Sequence, residues 1–326
     1  MSTTQARPVA TRGPARASAA GPVFEELAGR EVPLGGPRAM LVRRTLPHRV
    51  RRTVGAWCFV DHYGSSARPP GAPMHVPPHP HTGLQTVTWL FDGEVRHRDS
   101  LGSDQLVRPG ELNLMTAGRG IAHAEDSVVD AAGGARGASS PPLHGLQLWV
   151  ALPAAQRGIA PAFEHHPDLP RDRTGPVTTT VIVGELAGAR SGATAHSPLL
   201  AAEATLAGGA ATTLALRPDF EHAVLAVDGD VRVDGRRVPA ETLVYLGRAR
   251  TALDVATDRG GRLVLLGGTP FEDPLVMWWN FVGGEHDEIA AARADWEAGR
   301  RFDPVPDYGD ERLAAPALPT TRLLPR

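Results

Sequence analysis

Short apolar runs closed off by glycine or proline restrict the fold of this 326-residue chain more than anything else in it. Thr86–Phe91, Leu112–Met115 and Leu146–Leu152 are runs of this kind. They have the length of strands and are too short for helices. With 36 Gly and 30 Pro, such punctuation recurs along the whole chain. No run approaches the ~18 apolar residues a membrane helix needs. Hydrophobic residues still make up 42%, enough for a real core, and the length suits roughly two domains of about 150 residues. The chain therefore reads as an all-β, soluble protein of two domains.

Charge and cysteine content narrow the classes further. Lys+Arg 34 against Asp+Glu 36 leaves a net charge of −2, and every basic residue is Arg. That balance argues against nucleic acid or a membrane surface as partner. Cys58 is the single cysteine, which excludes an internal disulfide and fits a reducing compartment. A cytoplasmic monomer is the expectation.

Composition shifts divide the chain. Residues 1–22 carry Arg7, Arg12 and Arg16 with no acid and no apolar core, so they read as a disordered tail and not a secretory signal. Residues 23–152 form a first strand-rich domain, in which 130–142 (DAAGGARGASSPP) is a mobile loop. A linker at 153–176 leads to a second strand-rich domain at 177–270. Phe91-Asp92-Gly93-Glu94-Val95-Arg96 resembles Val227-Asp228-Gly229-Asp230-Val231-Arg232, 136 residues later, which points to an internal duplication. Both Asp-Gly pairs are hairpin signals. Residues 271–302 end in a helix over Glu285–Arg300, with Ile289, Ala292 and Trp296 on one face and acids at its start. Residues 303–326 read as an irregular, Pro-rich tail.

Histidines are concentrated in PMHVPPHPHTG and AGRGIAHAED. On an extended segment, residues i and i+2 point to one side. His79 and His81 can therefore aim at one point, and so can His123 and Glu125, 42 residues on. Three imidazoles and a carboxylate without thiolate suit Fe(II), Mn, Ni, Cu or Zn, and leave open positions on a six-coordinate ion. Spacing alone weighs this evenly against a surface turn at Pro80 and a core histidine at 123.

These residues carry a family resemblance. HPHTGLQTVTWLFDGEV, RHRDSLG, PGELNLMTAGRGIAHAE and HGLQLWVALP resemble the pirin family of the cupin superfamily, as do Arg51–Gly64 and FEDPLVMWWNFV. The resemblance covers about residues 23–302. It implies two cupin β-barrels with a C-terminal helix, and metal, most often iron, in the first barrel alone. It assigns His79, His81, His123 and Glu125 as ligands, and the second barrel has only the isolated His222. Thr82 and Gln85 depart from the usual HPHRGFET. In cupins a carboxylate at the place of Gln85 is often a ligand, so its absence leaves Glu125 as the acidic one.

The activity this implies is a quercetin 2,3-dioxygenase-like opening of a flavonol or other enol substrate by O₂, with Glu125 as ligand and as base for the substrate proton. The other reading is a metal-bearing interaction protein that binds a metabolic enzyme or a transcription factor. Met115, Trp89 and Leu84 are pocket walls or plain core. His97 stands behind the ligands or on the surface. Gln147 and Trp149 share the strand face opposite Leu146, Leu148 and Val150. Arg119 reads as a turn-exposed side chain, Cys58 as a buried small hydrophobe, and Arg43, Arg44, Arg49, Arg51 and Arg52 as a solvated, salt-bridged face.

Overall fold

The computed structural model describes residues 19–34, 40–64, 74–128 and 143–325. The loop expected at 130–142 and residues 1–18 of the expected tail lie outside the described residues. In chain order the first half forms β1 (Pro22–Ala28), β2 (Arg30–Leu34), β3 (Met40–Leu46), β4 (Trp57–Tyr63), β5 (His75–His81) and β6 (Leu84–Asp92). It continues with β7 (Val95–Asp99), β8 (Asp104–Val107), β9 (Leu112–Thr116), β10 (Ile121–Ser127), β11 (His144–Ala151) and β12 (Ala162–His166). The second half begins with β13 (Arg171–Thr174), β14 (Val177–Val183) and the short pair β15 (Glu185–Leu186) and β16 (Ala189–Arg190). Then come β17 (Leu199–Leu206), β18 (Ala211–Ala215), β19 (Glu221–Gly229), β20 (Val231–Val233), β21 (Arg236–Val238), β22 (Thr242–Gly247), β23 (Ala252–Ala256) and β24 (Gly261–Gly268). A hairpin of β25 (Val276–Trp278) and β26 (Phe281–Gly283) precedes the helix α1 (His286–Glu297).

Each half closes a seven-stranded sheet against a four-stranded one. The orders are β12-β9-β6-β11-β4-β3-β2 with β5-β10-β7-β8, and β1-β22-β19-β24-β17-β14-β13 with β18-β23-β20-β21. Laying one order on the other matches β4–β11 to β17–β24 strand for strand. This is the duplication that the repeated Asp-Gly turns signal.

Those turns are corners, not hairpins. β6 lies in the large sheet and β7 in the small one, and β19 and β20 divide likewise. Gly93 (φ 82°) and Gly229 (φ 75°) adopt the left-handed conformation that swings the chain from one sheet to the other.

The expected boundaries also change. β1 does not join the first barrel; it pairs antiparallel with β22 at the edge of the second. The expected linker at 153–176 holds two edge strands, β12 on β9 of the first barrel and β13 on β14 of the second. Each barrel's large sheet needs an edge strand, and the chain supplies it from beyond the other strands of that barrel.

The two large sheets pack against each other through their outer faces. Val87, Trp89 and Phe91 of β6 and Leu146, Leu148 and Val150 of β11 share one buried cluster with Ala223, Leu225 and Val227 of β19 and Val264 and Leu266 of β24. Polar links cross the same seam. Trp57 Nε1 donates to the Leu200 and Gly267 carbonyls at 3.1 Å each. Glu221 accepts from Gly55 N at 2.7 Å and from Tyr245 Oη at 2.6 Å. The arginine cluster is salt-bridged, but it is not a uniformly solvated face. Arg51 is 3% exposed, pairs with Glu25 at 2.9 Å and lies over the Tyr245 ring, while Arg43 meets Glu241 at 3.0 Å. Desolvation is tolerable there because each guanidinium faces a carboxylate or a π-face.

Helix α1 buries Ile289, Ala292 and Trp296, the stripe its periodicity gave. Behind it the described residues of the tail lack helix and strand but pack closely: Leu313 N donates to Pro78 O at 2.9 Å, and Trp296 Nε1 to Leu313 O at 2.8 Å. Among the described residues, no helix is long and apolar enough to cross a membrane.

The second barrel's interior is aliphatic, with His222 fully buried among it and both its ring nitrogens without a hydrogen-bond partner among the described residues. Burial lowers the His222 pKa to about 4, with Arg250 adding to the effect. The unfolded chain then binds more protons between about pH 6.5 and 4, so His222 removes stability as pH falls through that window. His222→Leu should flatten this acid limb. Denaturant titrations at pH 7 and pH 4 should show the wild type losing about 3 kcal/mol more than the variant. Equal losses would show that His222 does not titrate in this way.

Candidate metal centre

Strand pairing gives the first barrel's interior a layered lining. Directly paired residues on neighbouring strands share a face. One layer runs Phe163, Met115, Thr86, Trp149, Phe59 across β12, β9, β6, β11 and β4. The next runs His165, Asn113, Thr88, Gln147, Asp61, ending on Arg44 of β3. The first layer is largely aromatic and the second entirely polar. Phe59 and Trp149 stack at 4.0 Å, and Arg44 holds Asp61 with two 2.7 Å hydrogen bonds. Gln147 and Trp149 therefore face the interior. Trp89 does not: it faces the second barrel, where its Nε1 donates to Glu203 at 2.8 Å. Met115 and Leu84 sit in an apolar cluster with Phe59, Trp149, Leu275 and Val282.

Opposite this lining, β5 and β10 pair with His123 against His79. His79, His81 and His123 converge, their ligand atoms within 4.8 Å of one another, and all three are buried. Each ring is oriented by its other nitrogen. His79 Nδ1–H donates to the Pro77 carbonyl at 2.9 Å, and His81 Nδ1–H to the Asn280 carbonyl at 3.1 Å. A carbonyl only accepts, so both rings keep a bare Nε2. His81 Nε2 and His123 Nε2 stand 3.1 Å apart. Adjacent nitrogens bound ~2.1 Å from one ion are spaced about this far. Burial lowers His79 to about 4 and holds His81 and His123 well below the usual imidazole range, so the rings are neutral, as ligands must be.

Glu125 lies one bulge further along β10, and its ligand atom groups with His97 and His123. Thr88 Oγ1 lies within hydrogen-bond reach of both Glu125 Oε1 (3.0 Å) and Gln147 Oε1 (3.1 Å). Burial raises the Glu125 pKa, and the Thr88 hydrogen bond opposes that rise. His97 is buried and stacks on Phe163 at 4.4 Å, so it belongs behind the cluster and not on the surface.

Gln85 faces away from the centre. Its Nε2 lies 2.9 Å from Thr116 Oγ1 and 3.0 Å from the Thr194 carbonyl, so its replacement of a carboxylate does not touch the histidine cluster. Gly83 (φ 69°) follows the HPHT segment where a Cβ would lie 2.2 Å from Val282 O, and only glycine admits the C-terminal hairpin so close. The same hairpin brings the Asn280 carbonyl to His81. Cys58 is buried, near the Trp149 carbonyl at 3.6 Å, with its thiol pushed up to about 12, and Arg119 is exposed. Asn113 and His165 lie 2.7 Å apart on neighbouring strands, a partnership that exists only through strand pairing.

Family models match residues 39–150 (pirin) and 201–303 (pirin C-terminal cupin domain). The chain belongs to the pirin family. It is 45% identical over 298 residues, 91% of each chain, to a Pseudomonas aeruginosa protein provisionally named a quercetin 2,3-dioxygenase. It is 40% identical to a pirin-like protein of Caulobacter vibrioides, across 82% of this chain and 92% of that one. A crystal structure of quercetin 2,3-dioxygenase from Acinetobacter baumannii matches with a TM-score of 0.84 and 39% identity, covering 91% of this chain and 96% of that one. Both barrels are thus cupin domains.

Register transfers each position of the first barrel onto the second. His97 and Glu125 fall on Val233 and Val255, and His123 and His79 on Leu253 and Leu214, with Leu216 at the place of His81. Thr88, Asn113 and Gln147 fall on Val224, Val244 and Leu265. Every one of these replacements is aliphatic and lies in one buried cluster. At these positions the polar lining belongs to the barrel that gathers the histidines, and the second barrel keeps His222 elsewhere in its interior.

Added Fe(II), Mn(II) or Ni(II) should raise the melting temperature of the wild type. At 100-fold excess over Kd the stabilisation is about 2.7 kcal/mol. His81→Ala should show little or none of it in the same thermal scan, and an equal shift in both proteins would place the ion elsewhere.

Proposed function

We propose that the first barrel holds one divalent transition-metal ion, with Fe(II) favoured, and catalyses the O₂-dependent opening of a flavonol or related enol in the manner of a quercetin 2,3-dioxygenase. The observation that carries this reading is the convergence of three buried, neutral imidazoles whose Nδ1 atoms are all engaged elsewhere. His81 Nε2 carries no proton and stands 3.1 Å from His123 Nε2, the spacing of adjacent nitrogens on one ion. The similarity to proteins named as quercetin 2,3-dioxygenases supports the reaction class.

His79, His81, His123 and Glu125 would hold the ion. Bound there, it supplies Lewis acidity toward a substrate hydroxyl and one-electron chemistry toward O₂. Glu125, reaching the interior from β10 and held by Thr88, accepts the hydroxyl proton. The Phe59–Trp149 stack, with Met115 and Phe163 in the same layer, offers a flat apolar wall for an aromatic substrate and keeps water away. Asn113 Nδ2 is buried and has no hydrogen-bond partner among the described residues, which makes it a donor for a substrate oxygen.

Anaerobically Fe(II)-loaded protein given quercetin should consume O₂, and an identically treated His81→Ala protein should not. Iron-loaded wild type that consumes none would move the weight to a metal-bearing interaction protein.

A further inference from the structure

The His97-Arg98-Asp99 segment of β7 places a second i, i+2 pair directly behind the imidazole cluster. His97 is 2% exposed and Asp99 0%. Asp99 Oδ1 accepts from the backbone N–H groups of Leu101 and Ser103 at 2.9 and 3.0 Å. Its other oxygen, Oδ2, faces His97 Nε2 at 3.1 Å. The His97 ring lies nearly flat on Phe163, at 16°, so rotating it would break the stack. Its Nδ1 then stands 3.3 Å from His123 Nδ1.

Proton positions follow from this order. Two backbone N–H groups already occupy Asp99 Oδ1, so Oδ2 is the oxygen left to accept from His97. His97 Nε2–H donates to it, which leaves a lone pair on His97 Nδ1. That lone pair accepts the His123 Nδ1–H, and His123 keeps Nε2 bare toward His81. His79 and His81 make the corresponding donation to uncharged carbonyls. His123 makes it to an imidazole backed by a buried anion.

We propose that His97 and Asp99 are positioning residues that lock His123 in its metal-binding tautomer and make it the strongest donor of the three imidazoles. The second barrel supports a role tied to the ion and not to the fold. At the same register it has Val233 for His97 and, two residues on, Gly235 for Asp99, and it closes with the same strand order. This inference rests on the metal centre proposed above but not on its reaction with O₂.

Co(II) serves as the probe, read by its affinity and by the visible absorption of the loaded protein. In Asp99→Asn the two backbone donors keep the amide oxygen and turn the NH₂ toward His97. His97 must then protonate Nδ1, and the relay opposes His123 instead of orienting it. The expected loss of Co(II) affinity is about 10- to 100-fold, with an altered spectrum and little change in melting temperature. His97→Phe keeps a ring on Phe163 but offers no acceptor and should lose affinity comparably. His97→Gln restores an acceptor near His123 Nδ1 and should recover part of it. The proposal is overturned if Asp99→Asn and His97→Phe bind Co(II) like the wild type with an unchanged spectrum, or if His97→Gln binds no better than His97→Phe. The two His97 variants decide the matter alone should Asp99→Asn not fold. A protein that binds Co(II) through this relay yet takes up no O₂ with iron counts against the dioxygenase reading only.

Discussion

Contact between the outer faces of the two large sheets sets the terms for everything inside them. β6 and β11 bury Val87, Trp89, Phe91, Leu146, Leu148 and Val150 against the other barrel, so their hydrophobic content is already spent on one face. The opposite face of the same strands is then free to be polar. The first barrel uses that freedom for Thr88 and Gln147, beside Asn113 of the neighbouring β9, whereas the second fills the same positions with Val224, Leu265 and Val244. One barrel is a packed core that anchors the seam, and its twin can carry buried polar groups that would destabilise an isolated domain.

The histidine cluster follows the same economy of partners. Pro77, Asn280 and His97 each engage one ring nitrogen, and none of these contacts comes from a flexible surface side chain. Trp149 meets His81 edge-on at 5.1 Å and Phe163 lies under His97, so aromatic packing restrains the rings that hydrogen bonds orient. Few rotamers remain available to the cluster, so its ligand atoms stay convergent.

Much of this was legible in the residues. The HPH and HAE spacings named three imidazoles that the fold gathers, His79, His81 and His123, while Glu125 groups with His97 and His123 instead, and the ordered motifs named the family and its two barrels. Hydrophobic alternation separated Gln147 and Trp149 from Leu146 and Leu148, but could not say which set faced inward, because both faces are buried. Gln85 looked like a lost ligand for a related reason: distance from the HPH segment is visible in sequence, whereas the side of the sheet is not. The exchange of edge strands was hidden more completely. β1 reads as an ordinary first strand of the first domain, and its pairing with β22 depends on partners more than two hundred residues away.

Asn280 has a consequence for the order of events during synthesis. The HPH segment leaves the ribosome early, and His79 finds the Pro77 carbonyl two residues away. His81 must wait for a carbonyl 199 residues downstream. Strand β1 waits longer than most for its place, since β22 is made only near residue 242. Non-local pairing of this kind slows folding, because distant segments must meet before either is rewarded. The His81 ring is therefore set only when the chain is nearly finished, whereas the His79 ring has its partner from the start.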